Sequence, residues 1–378
     1  MTERRLAVLT TGRQDYGILR STILLLRRSP GFEVAVWAGG MHLQPRFGEP
    51  LAALRRDDMP VARELPFLAE PPDPTADTSA ALARVGEALA EDRPDALVLV
   101  GDRTEVLAAG LAATIARVPI VHLHGGEESE GAIDNACRHA LTKLSHLHLV
   151  SHRVHAERVI QMGEDPSCVV VVGAPALDHA FRDDLPARDE LGAELGLALE
   201  RPVVLVTVHP ATLGPSAREE VAAVAAAMAR VPATYVVTAP NADEGGAEIA
   251  DFWRDWAANR GRVAVVDALG DRRYWAMLRL ADAVLGNSSS GIIEAPALGA
   301  PVVNVGDRQR GRLRFGPVTD VPAEEPAITA ALRGALAAGR REPSDNGSPP
   351  PPVAPRVVDA LRRWQIPRPP RKRFHSPA

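Results

Sequence analysis

The chain has 378 residues, enough for two domains that each bury a core. Hydrophobic residues make up 46% without any long apolar run, which excludes a helical membrane protein, and a net charge of −5 gives no footing for nucleic acid. The two cysteines, Cys137 and Cys168, lack metal or redox spacing, and MTERRLAVLTTG lacks a signal pattern, so a cytoplasmic protein is expected.

In chain order, short β-branched runs alternate with longer amphipathic or alanine-rich segments. The first half holds LAVLTT, EVAVWAG, DALVLVGD, PIVHLHG, LHLVSH and CVVVVGAP, with helices predicted after Asp15 and over 103–117. The second holds PVVLVTVHP, TYVVTAP, RVAVVDAL, DAVLGNS and PVVNVGD. This alternation predicts an α/β fold of two Rossmann-like, doubly wound domains over 1–181 and 182–354, facing a cleft. Ligands in such sheets bind beyond the carboxyl ends of the strands. The polar stretch 182–201 reads as a linker, and EPSDNGSPPPPVAP as a loop or stiff spacer. RVVDALRRWQ reads as a helix within 355–366, and 367–378 as a frayed tail.

Six strand ends carry polar chemistry. In TTGRQDYG, Arg13 occupies a turn before a helix, an arrangement suited to phosphate or simply an ordinary β/α turn. In GDRTE, Asp102 reads as a helix cap or as a carboxylate kept ionised by Arg103. In HLHGGEESEGAID, His122 and His124 alternate on one strand face and Glu127 follows, which fits a metal site less well than two imidazoles lining a cleft. Ile133, Cys137, Leu141 and Leu144 mark one helical face after Glu130, and Asp134 with Arg138 four residues on reads as surface helix stabilisation. His209 ends LVTVHP, and Asn241 and Asp243 lie in the glycine-flanked loop TAPNADEGG. Finally, GNSSSGIIEAPALGAPVVNVGDRQRGR sets Ser288, Ser289, Ser290 and Gly291 between a strand and a helix, a cradle suited to a diphosphate. Glu294 lies one turn into that helix and suits a sugar hydroxyl; Arg308, Arg310 and Arg312 follow the next strand. Because only two of the 43 basic residues are lysines, an arginine alone is weak evidence for phosphate.

In family order, the segments GRQDYG, GDRTEVLAAGLAA, HLHGGEESEGAIDNACRHALTKLSHLHLV, RVIQMGEDPSCVVVVGAPALD, VHPAT, PNADEGG and GNSSSGIIEAPALGAPVVNVGDRQRGR resemble the hydrolysing UDP-N-acetylglucosamine 2-epimerases of the sialic-acid pathway. The resemblance covers most of the chain to about residue 314, and GDR, HGGE and SSSGIIEAP follow the hydrolysing pattern. It implies a glycosyltransferase-B-like fold with an interdomain active site, no metal or cofactor, a UDP-sugar substrate with UDP as product, a carboxy-terminal helix crossing back onto the first domain, and a homodimer or homotetramer. It also implies that Asp102, Glu127, Asp134 and His209 are catalytic, with His209 near the diphosphate. Arg13, Arg103, Asn241, Ser288, Ser289, Ser290, Gly291, Glu294, Arg308 and Arg312 are then the nucleotide-binding set. Crowded acids are expected to raise one another's pKa values. Gln14 and the proline-rich loop depart from the family pattern, which leaves a 2,4-diacetamido-trideoxyhexose, or a sugar of a secondary-metabolite pathway, open as the sugar. A non-hydrolysing 2-epimerase, a glycosyltransferase of the same fold and a non-catalytic nucleotide-sugar sensor are the alternatives.

Overall fold

The computed structural model describes residues 3–44, 51–71, 73–128, 133–210, 217–240, 246–310, 312–314, 316–342 and 347–376. They form two compact units, one of 1–178 with 347–378 and one of 179–346.

Unit 1 runs β1 (Arg4–Thr10), α1 (Arg13–Arg28), β2 (Phe32–Gly39), α2 (Ala52–Arg56), β3 (Val61–Leu65), α3 (Pro74–Asp92), β4 (Ala96–Val100), α4 (Thr104–Ala116), β5 (Ile120–Leu123), α5 (Asp134–Leu144), β6 (Leu147–Val150), α6 (Arg153–Gln161) and β7 (Val169–Val171). The strands pair in parallel in the order β3-β2-β1-β4-β5-β6-β7, so the order reverses between β1 and β4. Strands β4, β5 and β6 are buried along their whole length, so β4 is an unbroken apolar run and β5 and β6 are apolar but for the buried His122 and His148. Helix α1 buries Tyr16, Leu19, Ile23 and Leu26, spaced three or four apart, on one face of the sheet. Helices α3 and α4 cover the other with Ala81, Val85, Ala109 and Ala113. Asp73 caps α3 by accepting from the N–H groups of Thr75 and Ala76, and Pro74 opens the helix.

Unit 2 runs α7 (Arg188–Leu195), β8 (Val203–Thr207), α8 (Ala217–Arg230), β9 (Thr234–Thr238), α9 (Gly246–Ala257), β10 (Val263–Val266), α10 (Gly270–Leu280), β11 (Ala283–Gly286), α11 (Glu294–Ala297), β12 (Val302–Val305), β13 (Val318–Val321) and α12 (Glu325–Ala338). Its parallel sheet has the order β10-β9-β8-β11-β12-β13, reversing between β8 and β11. The stretch read as a linker holds α7, whose Glu190 pairs with Arg272 at 3.0 Å within the same unit. Both sheets are doubly wound, and ligands of such sheets bind where the strand order reverses.

The chain returns to unit 1 at residue 347. Helix α13 (Ala354–Arg363) has the carboxylate of Asp178 at its start, accepting from the N–H groups of Val353 and Ala354 at 2.6 and 2.7 Å. Hydrogen bonds to a carboxylate contribute roughly 1.5–3 kcal/mol each. Val357, Val358 and Leu361 join the core beside α1, and Arg4 donates to the carbonyls of Leu361 and Trp364. The segment beyond α13 is not frayed where it is described. Lys372 Nζ meets Glu164 Oε2 at 2.6 Å, and the N–H of His375 donates to Gly163. Among the described residues no helix is long and apolar enough to cross a membrane.

Candidate active site

In unit 1 the polar residues gather at the carboxyl ends of adjacent strands. β4 runs into Gly101, which adopts φ +84°, and then Asp102. His122, in β5 beside it, is wholly buried, with Nε2 2.8 Å from the Gly101 carbonyl oxygen. Burial drives its pKa down to about 3, so the ring is neutral and donates from Nε2. His122 is therefore not a cleft-lining imidazole; it fixes the turn that presents Asp102.

Asp102 is not a helix cap, because the N-cap of α4 is Arg103, whose side chain makes no capping bond. Asp102 forms an ion pair with Arg138, which is only 5% exposed on α5. The local spacing pointed to a surface pair between Asp134 and Arg138; the structure buries Arg138 and joins it to an aspartate thirty-six residues away. Asp134 is the first residue of α5 and half-buried. Cys137 and Leu141 line the buried face of that helix, whereas Ile133 precedes it and is exposed. Arg103 bonds Glu105 at 2.6 Å and rests against the sulfur of Met41. Arg13 is the first residue of α1, behind Gly12; its side chain lies outside the described residues.

Glu127 follows β5 across a glycine pair. Gly126 has φ +76°, and a Cβ there would meet the His155 carbonyl oxygen at 2.4 Å, so only glycine lets this loop lie on α6. Oε1 of Glu127 lies 2.6 Å from both His124 Nδ1 and Ser151 Oγ. Ser151 Oγ is 3.0 Å from His155 Nδ1. Burial pushes the Glu127 carboxyl up, but His124, His155 and the Ser151 hydroxyl together outweigh it and bring the pKa down to about 2. The expected mutual raising of carboxyl pKa values does not hold for Glu127, because the groups that act on it are two imidazoles and a hydroxyl rather than other acids. Glu130 lies outside the described residues.

In unit 2 the corresponding strand ends are tied together by Asn287. Gly286 before it has φ +132° and so close an approach to Thr207 that a Cβ would fall 2.0 Å from the carbonyl oxygen. Asn287 is fully buried; its Oδ1 accepts from the His209 N–H at 2.7 Å, and its Nδ2 donates to the His209 carbonyl and to Glu220. Its own carbonyl accepts from Arg308 and Gln309, so one residue links the ends of β8, β11 and β12. Ser288 leads into a short 3₁₀ turn over Ser289–Gly291, and Ser290 bonds the hydroxyl of Tyr274. Glu294 is the first residue of α11, not one turn in, because the serines form a separate turn. Its charge and, above all, burial raise the pKa of Tyr274. Arg308 is half-buried, whereas Arg310 and Arg312 are exposed. Asn241 and Asp243 lie outside the described residues.

Ser151, His155, Tyr274 and Asn287 were not singled out from sequence. Only LVSHRVH, a serine and two histidines at a strand end, and the asparagine before the serine run carried any signal.

Two doubly wound α/β units, with carboxylates at the strand ends of one and a serine turn in the other, place the chain in the class of two-domain α/β proteins whose sheets bind ligands at their strand ends. The profile of the UDP-N-acetylglucosamine 2-epimerase family matches residues 25–352, and the chain belongs to that family. It is 33% identical over 337 residues to a UDP-N,N'-diacetylbacillosamine 2-epimerase (hydrolyzing) of Legionella pneumophila, covering 88% of this chain and 89% of that one. It is 30% identical over 326 residues to a GDP/UDP-N,N'-diacetylbacillosamine 2-epimerase (hydrolyzing) of Campylobacter jejuni, with 85% of each covered. A crystal structure of the UDP-GlcNAc 2-epimerase from Neisseria meningitidis bound to UDP-GlcNAc superposes with a TM-score of 0.78 at 16% identity, over 95% of this chain and 100% of that one. The fold is the glycosyltransferase-B-like one that the resemblance implied.

Proposed function

We propose that this chain is a hydrolysing 2-epimerase that converts a UDP-linked 2-acetamido hexose to UDP and the free 2-epimeric sugar. The observation that carries the reading is Glu127, held ionised at a strand end next to the one that bears the Asp102–Arg138 pair. The reaction expels UDP from C1 as a proton leaves C2, giving a 2-acetamidoglucal; water then adds and a proton returns to the opposite face of C2. No carbonyl neighbours C2, so a base alone removes that proton poorly, and the leaving diphosphate must be stabilised at the same time. Asp102, Glu127 and Asp134 serve the sugar carbons. His209, Arg13, Arg103, Asn241, Ser288, Ser289, Ser290, Gly291, Glu294, Arg308 and Arg312 serve the nucleotide, with Asn287 fixing the backbone of His209.

The sugar is either N-acetylglucosamine or its 2,4-diacetamido-trideoxy analogue, and the names of the two relatives at 30% and 33% identity support the latter. A coupled assay of UDP release from UDP-N-acetylglucosamine and from UDP-N,N'-diacetylbacillosamine tests both points. Stoichiometric UDP with one donor preferred is expected. Epimerised sugar still joined to UDP contradicts the hydrolysing assignment.

A further inference from the structure

Glu127 is grasped by one oxygen. His124 Nδ1 and Ser151 Oγ each lie 2.6 Å from Oε1, and His155 Nδ1 lies 3.0 Å from Ser151 Oγ and 3.9 Å from the same Oε1. Counting protons fixes the direction of each bond. An ionised carboxylate only accepts, and a serine hydroxyl has one proton to give. Ser151 therefore donates to Glu127, and His155 must present Nδ1–H to the serine oxygen. His155 is neutral near pH 7, because burial lowers its pKa to about 4. His124 likewise donates from Nδ1. The donor chain draws on three segments, Glu127's own loop after β5, the end of β6 and α6, so the carboxylate is oriented by the fold and not by its own loop alone.

We propose that Ser151 and His155 are positioning residues that pin Oε1 of Glu127 and leave Oε2 as the oxygen exchanging a proton with the substrate. The inference rests on the proposed function and assigns Glu127 the role of a base. A donor chain ending on the carboxylate favours its charged form and restricts its rotation. The titratable and charged groups around it are His124 in its own loop, His122 in β5, and His155 on α6. Arg158, also on α6, donates to the Gly126 carbonyl and faces Glu128 at 3.4 Å. His152 packs edge-on against His155.

Removing the Ser151 hydroxyl takes a donor from the ionised form, so the pKa of Glu127 rises. Ser151→Ala is expected to move the acid limb of kcat/KM upward by about one pH unit, with kcat falling more than KM changes. Ser151→Thr keeps a hydroxyl and should restore the wild-type limb. His155→Leu should repeat the shift in smaller measure, and it serves as the second variant if Ser151→Ala does not fold. A ¹³C NMR titration of the Glu127 carboxyl in glutamate-labelled protein, assigned with Glu127→Gln, reads the same shift without turnover. A limb and a titration unmoved by both variants would overturn the clamp. A wild-type protein inactive on UDP-sugars would instead overturn the functional reading, and the titration would still decide the clamp.

Discussion

Asp102→Asn lowers kcat by about 10²–10⁴-fold, the range carried by a positioned acid or base, and leaves UDP binding intact. The substitution keeps the shape of the side chain on the turn that His122 holds, so its effect is one of charge and proton transfer. Asn still accepts a hydrogen bond from Arg138 but no longer neutralises it, and Arg138 is only 5% exposed. Breaking a buried ion pair by removing one partner costs about 3–5 kcal/mol, and the retained hydrogen bond places Asn at the low end of this range. Turnover, UDP affinity by calorimetry and a thermal melt separate the effects. Full activity in Asp102→Asn would remove this residue from the reaction.

Glu127→Gln abolishes most turnover, again by about 10²–10⁴-fold, and it also changes how stability depends on pH. The folded pKa of about 2 lies below the ordinary value of 4.5, so the ionised carboxylate contributes stability that is fully present above pH 4.5. That contribution is lost as pH falls through about 2. Glutamine lacks the charge at every pH. The variant should therefore be less stable than the wild type at pH 7, with the difference shrinking as pH falls below 4.5. Melting curves across that range check the sign. A difference that grows on acidification would show that Glu127 is not held ionised.

The interior of both sheets was legible because buried parallel strands are written as largely apolar runs, as in ALVLV of β4. Strands β3 and β13 were not. Each is an edge strand, VAREL or VTDV, half-exposed and carrying charge, so neither shows the apolar run used to find the others. The division of the chain differs from the boundaries read from sequence for a related reason. Composition marks the proline-rich stretch as a spacer, yet from residue 347 onward it belongs to unit 1, where Gly347 accepts from Arg153 and Val353 bonds Asp178.

Asp102 and Glu127 stand out as candidates in the sequence because a polar residue after an apolar strand has a position defined by the strand. Their partners were not, because Arg138, Ser151 and His155 reach them through tertiary packing. For Arg138 the local pattern even pointed elsewhere, toward Asp134 on the same helix turn. His122 and His124 show the limit of strand alternation. Two residues on one nominal face met different fates, since β5 ends at Leu123 and His124 turns to φ +63°, while His122 stays buried beneath.

The most direct measurement is turnover of the preferred UDP-sugar in deuterated water with NMR and mass analysis of the products. Free UDP and a 2-epimeric sugar carrying one deuterium at C2 are expected, since the proton taken from C2 exchanges with solvent before another is returned to the opposite face. Free UDP with a C2-protiated sugar of unchanged configuration would mean simple hydrolysis at C1, and it would contradict the role given to Glu127 and Asp102.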